Sequence, residues 1–206
     1  MRVLRRAMAL LMLILASPCA GLAHGPDPGS LAGAGAWISF AAGFNHPATG
    51  ADHVIALLAI GFWAGARCGD RLRLGLGAVI AAGIVGSLWV RPPLASPYIE
   101  VGMLTALIGL GLAMAGKGRR QTVLGAALAF LLALLGTDAP GSGLPEPAGV
   151  LGYAAGYALA SAVLLGLGVG LARLGLDATH RHGARGAGML IALAGPALAV
   201  LMGPLP

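Results

Sequence analysis

The sequence predicts an all-α fold, a polytopic transmembrane bundle of about six helices after a cleavable signal peptide. Three observations predict it. Hydrophobic residues make up 58% of the chain and charged residues 10%, with a mean hydropathy of +0.88, so a soluble fold would lack the polar surface to cover its core. Apolar stretches recur at lengths near the roughly 17 to 25 residues that span hydrocarbon. The positive charges, finally, fall almost entirely in alternate loops, as they do when loops are sorted across a membrane.

Residues 1–23 read as the signal peptide. Arg2, Arg5 and Arg6 form its positive start, Ala7 to Ala16 its apolar core, and Gly21-Leu22-Ala23 a small-x-small cleavage site. Pro18 directly before Cys19 argues against a lipoprotein. The mature chain would begin at His24, outside the cytoplasm, and residues 24–206 would form one six-helix transmembrane domain. Its apolar stretches lie near 34–66, 74–90, 99–116, 121–136, 148–172 and 187–203. Arg67, Arg71 and Arg73 follow the first, Lys117, Arg119 and Arg120 the third, and Arg173, Arg181 and Arg185 the fifth, with only Arg91 on the other side. The basic loops are therefore expected in the cytoplasm, with both mature termini in the periplasm of a bacterial inner membrane.

The loops on the opposite side are short and proline-rich, as in Arg91-Pro92-Pro93, and act as helix stops. The chain has 35 glycines. The spacings Gly75, Gly77, Gly83 and Gly152, Gly156, Gly166, Gly170 read as close helix packing. No internal repeat is evident. The net charge of +6 comes with no aromatic platform or nucleic-acid motif, so nucleic acid is not an expected partner. Cys68 is the sole thiol after cleavage, which excludes a disulfide framework.

Chemistry concentrates in the first stretch, where Gly43-Phe44-Asn45-His46-Pro47-Ala48-Thr49-Gly50-Ala51-Asp52-His53 places two histidines and an aspartate at membrane depth. Ionisable groups there are costly and usually functional. On an unbroken helix His46 and His53 would share a face but stand about 10 Å apart along the axis, too far for one ion. Pro47 and Gly50 are expected to break the helix near Pro47 and bring them together beside a polar cavity. Two readings are open: the three side chains ligate a borderline divalent cation, or they satisfy the broken backbone and one another. Glu100, at the head of the third span on the same outer side, either completes a site or ends at the interface. His24 would offer a chelating pair with the new amino terminus, or is a chance residue in a flexible segment. His180 and His182 sit in a basic loop, where a solvated turn competes with a metal exit site.

The run from Gly43 to His53 resembles the first-helix signature of the HupE/UreJ family of nickel/cobalt permeases, roughly HPxxGxDH, at every defined position. The resemblance extends to the signal peptide, the six-span layout, Glu100 and the Gly-Tyr-Ala-Ala-Gly-Tyr run at 152–157. It implies secondary uptake of Ni²⁺ or Co²⁺ across the inner membrane, with His46, Asp52 and His53 as the metal-handling residues. Family members usually carry a second histidine- and glutamate-bearing motif at the outer end of span four, where residues 136–145 of this chain contain no histidine. Glu100, Asp138 or His24 would then complete the ligand set, or the metal preference has shifted, or the chain transports poorly.

The expected activity is therefore a permease and not an enzyme, with the metal ion and the lipid bilayer as partners and no prosthetic group. An oligomer or an accessory partner is compatible with it. No GxxxxGK[ST] motif is present, so energy would come from a gradient or from a partner. One alternative is an intramembrane metal-dependent hydrolase, against which stands the lack of HExxH and GxSxG motifs. Another is a non-transporting accessory or structural membrane protein.

Overall fold

An apolar chain leaves its backbone few hydrogen-bonding partners other than itself, and helices answer that within each segment. The structure, a computed structural model, describes residues 35–68, 96–135, 147–179 and 183–202, and these are helical throughout apart from short connections. The helices are α1 (Ala36–Thr49), α2 (Ala51–Arg67), α3 (Ser96–Ala115), α4 (Arg119–Leu135), α5 (Pro147–Thr179) and α6 (Gly183–Met202). The signal at 1–23, the stretch at 74–90 and the loop carrying Asp138 lie outside the described residues.

The first apolar stretch is two helices bent by 76°. The break was expected near Pro47, yet Pro47 belongs to the last turn of α1 and the chain turns at Gly50. A proline removes the bond its own N–H would make to the carbonyl four residues back, here Gly43, and its ring crowds that carbonyl, which bends a helix without having to end it. The backbone stays helical for another turn, with Gly50 N–H donating to the His46 carbonyl at 3.3 Å and Val54 N–H restarting the ladder on the Gly50 carbonyl at 2.9 Å. Among the described residues, Leu151–Leu174 is the helix long and apolar enough to cross a membrane alone, and α1 with α2 passes the same test as a pair. Large apolar side chains such as Trp37, Leu151 and Leu193 stand on the outside of the bundle.

Glycines set the helix register. A Cβ at Gly152 would meet Ala36, one at Gly156 would meet Phe40 and Phe44, one at Gly168 would meet Leu58 and Phe62, and one at Gly65 would meet Val169 and Ala172. Both sequences ascend together, so α5 runs parallel to α1 and α2 and packs along the pair. Gly166 and Gly170, read from the sequence as part of the same packing stripe, meet nothing within 4 Å. They lie off the contact face because the stripe follows the helical period and not the glycine count.

Helix α3 is antiparallel to both α4 and α6. A Cβ at Gly102 would touch Leu135 and one at Gly109 would touch Leu128, and a Cβ at Gly111 would touch Ala192 while one at Gly195 would touch Ile108. The described helices therefore form two groups, α1, α2 and α5 in one and α3, α4 and α6 in the other, with thinner packing between them. A shared core that includes Ile55, Ile60, Trp63, Leu110, Met114 and Leu132 joins the groups.

Arg67, at the end of α2, crosses that boundary and donates from Nη2 to the carbonyls of Met114 and Gly116, each at 2.6 Å. Met114 lies in the last turn of α3 and Gly116 directly follows it, where carbonyls lack an intrahelical partner, and a cation there also meets the negative end of the helix dipole. Lys117, Arg119 and Arg120 follow directly, Arg173 adjoins the Ala172 contact with Gly65, and Arg185 lies just before the Gly188 contact with Met114 and Ala115. The Lys and Arg of the described residues thus gather at one end of the bundle. An Arg67→Met substitution is expected to cost about 1 kcal/mol, because a charge-assisted bond is lost but the group is only part-buried. Thermal unfolding in detergent measures it, and an unchanged midpoint would remove Arg67 from the interactions that hold the two groups together.

Candidate metal centre

The polar residues of the first stretch meet at the α1–α2 break. His46 lies in the last turn of α1 and His53 in the first turn of α2. Their ring centroids are 5.0 Å apart and nearly perpendicular, at 80°. The break has halved the separation that a continuous helix would impose.

That distance can be tested against coordination chemistry. With imidazole nitrogens at the usual metal distance, each ring centroid sits about 3.2 Å from the ion, so adjacent ligands have centroids roughly 4.5 Å apart at a right angle and roughly 5.2 Å apart in a tetrahedron. The observed 5.0 Å falls between these limits. That spacing is compatible with neighbouring positions on one divalent ion, and with the 80° interplanar angle it is also that of an edge-to-face ring contact.

Asp52 is paired with one of the two histidines. Its Oδ1 lies 3.0 Å from His53 Nδ1, the carboxylate–imidazole pairing that fixes a ligating histidine's tautomer. Donation from Nδ1–H to Asp52 corresponds to the tautomer in which Nε2 of His53 is the acceptor nitrogen. His53 is buried at 7% exposure and Asp52 sits at the edge of a small cavity lined also by Ala56, Met103, Leu104, Leu107 and Leu132. Among the described residues no group of three His, Cys, Asp or Glu side chains is arranged to hold a metal ion. The structure brings together the histidine pair and a carboxylate that supports one of them.

Gly50 makes this arrangement possible for a reason other than turn geometry. Its φ of −75° and ψ of 116° suit any residue. A Cβ there, however, would stand 3.0 Å from Asp52 Oδ1 and 3.1 Å from His53 Nδ1. The glycine keeps space for the Asp52–His53 pair.

Glu100 lies in the first turns of α3, three residues before the cavity-lining Met103, and its side chain is outside the described residues. His24, Asp138, His180 and His182 also lie outside them. Two residues carried no ligand argument in the sequence. Tyr153 and Tyr157 of α5 have ring centroids 6.2 and 6.1 Å from that of His46. Their four-residue spacing on a glycine-rich helix was the available signal. Ser39 and Ser161 are buried with no hydrogen-bond partner for Oγ among the described residues.

An interrupted helix bearing two adjacent imidazoles within an apolar bundle defines the class, an all-helical protein with a polar centre built into a helix break. Within that class, the family model described as HupE / UreJ protein matches residues 5–198, and this chain belongs to that family of membrane proteins. It is 34% identical over 159 residues to Protein HupE of Rhizobium leguminosarum bv. viciae, covering 77% of this chain and 83% of that protein. No solved structure matches.

Proposed function

We propose that this protein is an inner-membrane permease that takes Ni²⁺ or Co²⁺ from the periplasm to the cytoplasm. The observation that carries this reading is the His46–His53 pair, spaced for one ion at a helix break inside an apolar bundle. Membership of the HupE/UreJ family supports it. In this reading residues 1–23 are a signal peptide, residues 24–206 form six spans, and the basic end of the bundle faces the cytoplasm. The outward-facing apolar side chains contact lipid.

The ion sheds part of its water shell and is taken up by His46 and His53. Asp52 holds the His53 ring and contributes negative charge beside it, offsetting the cost of a dication in low dielectric. Glu100 supplies a further carboxylate on the approach, with His24 and Asp138 as lesser candidates. Binding stays modest so that the ion can leave again. The chain is a transporter and not an enzyme.

The test is accumulation of radiolabelled nickel and cobalt in cells lacking their own uptake systems, with and without this chain. Accumulation above background is expected. An Asp52→Asn variant at matched membrane abundance should lower apparent affinity by about 10- to 100-fold, as loss of a histidine's supporting carboxylate does, and leave residual uptake. No accumulation by the intact chain would overturn the permease reading in favour of an accessory role. Uptake by Asp52→Asn equal to that of the intact chain would remove Asp52 from the site.

A further inference from the structure

His46 and His53 are held by different parts of the bundle. His53 is tied to its own helix through Asp52. His46 is walled by a distant helix, since Tyr153 and Tyr157 lie on one face of α5 with their rings tilted at 58° and 41° to the imidazole. Both tyrosines are buried, at 3% and 6% exposure.

The backbones on which these rings stand are in direct contact. A Cβ at Gly43 would overlap the Tyr153 carbonyl, and one at Gly156 would overlap the Phe40 carbonyl and come within 2.7 Å of Phe44 N. With no side chain to separate α1 from α5, a buried tyrosine ring has little room to swing away from the imidazole. The orientation of His46 thus depends on the register of α5 against α1.

We propose that Tyr153 and Tyr157 are positioning residues that determine metal specificity: they fix the His46 ring, and so the angle that the two imidazoles subtend at the ion. The inference rests on the assignment of His46 and His53 as ligands. Its chemical basis is that the 5.0 Å spacing lies between the right-angle and tetrahedral limits, nearer the tetrahedral one. A small rotation of His46 then moves the pair toward one or the other. The right-angle arrangement suits six-coordinate or tetragonal nickel, and the wider one suits zinc. Neither tyrosine needs to touch the ion for this.

The test uses the purified full chain in detergent, with Ni²⁺ alone and Zn²⁺ alone in equilibrium binding, and Co²⁺ as a spectroscopic probe whose visible absorption is strong at four-coordination and weak at six. Tyr157→Leu is expected to weaken binding by about 10- to 100-fold for the more affected ion, as loss of outer support does, to change the ratio of Ni²⁺ to Zn²⁺ affinity, and to change the Co²⁺ spectrum. Tyr157→Phe, which keeps the ring, should restore the ion preference and the spectrum of the unaltered chain. Tyr153→Leu reports in the same way one turn away should Tyr157→Leu fail to accumulate. Equal weakening of Ni²⁺ and Zn²⁺ with an unchanged Co²⁺ spectrum would reduce the tyrosines to packing and overturn the proposal. So would Ni²⁺ binding that His46→Ala abolishes and both leucine variants leave intact. If the unaltered chain binds no Ni²⁺, the ligand assignment itself falls, and the specificity argument with it.

Discussion

Replacing His46 and His53 together by alanine is expected to abolish nickel and cobalt accumulation while the protein reaches the membrane at normal abundance. The magnitude follows from the solvent that the ion must leave. A dication moved from water into a low-dielectric bundle loses hydration worth far more than any single contact, and only ligands at the point of entry offset it. The two imidazoles, 5.0 Å apart at the helix break, are the proposed ligands, and without them Asp52 would remain as one carboxylate with no partner ligand. Single variants should differ in kind. His46→Ala leaves the Asp52–His53 pair intact, and His53→Ala also strips Asp52 of its hydrogen bond. Both should lose at least about 10-fold in apparent affinity, the lower range seen when even an outer-shell group is removed. Accumulation by the double variant at the level of the intact chain would place the transported ion elsewhere.

The largest effect on the fold is expected at Gly43 and Gly156. Each is a point where α1 and α5 touch backbone to backbone, and a methyl group at either would overlap a carbonyl of the other helix. Alanine should therefore force the helices apart and cost about 1 to 3 kcal/mol, the usual range for an overpacked contact. The thermal midpoint in detergent reads that loss, and metal binding should fall with it because the same contact carries Tyr153 and Tyr157 against His46. Gly166 provides the comparison, because it lies in the same helix with nothing within 4 Å. Alanine there should be neutral or stabilising by roughly 0.5 to 1 kcal/mol, through the lower entropy of the unfolded chain and better helix propensity. Equal effects at Gly43 and Gly166 would show that the α1–α5 contact is not what fixes the fold.

Much of this architecture is legible in the sequence because hydropathy and charge act over whole segments. The helical class follows from composition, and the meeting of His46 with His53 follows from Pro47 and Gly50 between them. The finer placement was not legible, for physical reasons that differ by residue. Pro47 removes one hydrogen bond without ending the helix, and the turn falls at Gly50, where a side chain would crowd Asp52 and His53. Asp52 looks like a third ligand when only donor type is considered. Its role beside His53 depends on which atom it faces, and sequence spacing does not encode that. Tyr153 and Tyr157 reach His46 through a contact between segments far apart in the chain, and only the folded register reveals it. Arg67 reads as a topological charge until α3 is seen to end beside it.

Mechanically, the described helices make two stiff blocks on a thin seam. Within each block glycine contacts allow almost no sliding, because a displacement of a fraction of an ångström drives one backbone into the other. Across the seam the contacts are sparser, and at the basic end one guanidinium ties the block of α2 to the carbonyls that close α3. A tether of this kind resists separation through a few short bonds and then gives way at once. Rocking of one block against the other would therefore have to unseat Arg67 from the end of α3 and disturb the shared core around Trp63 and Leu110.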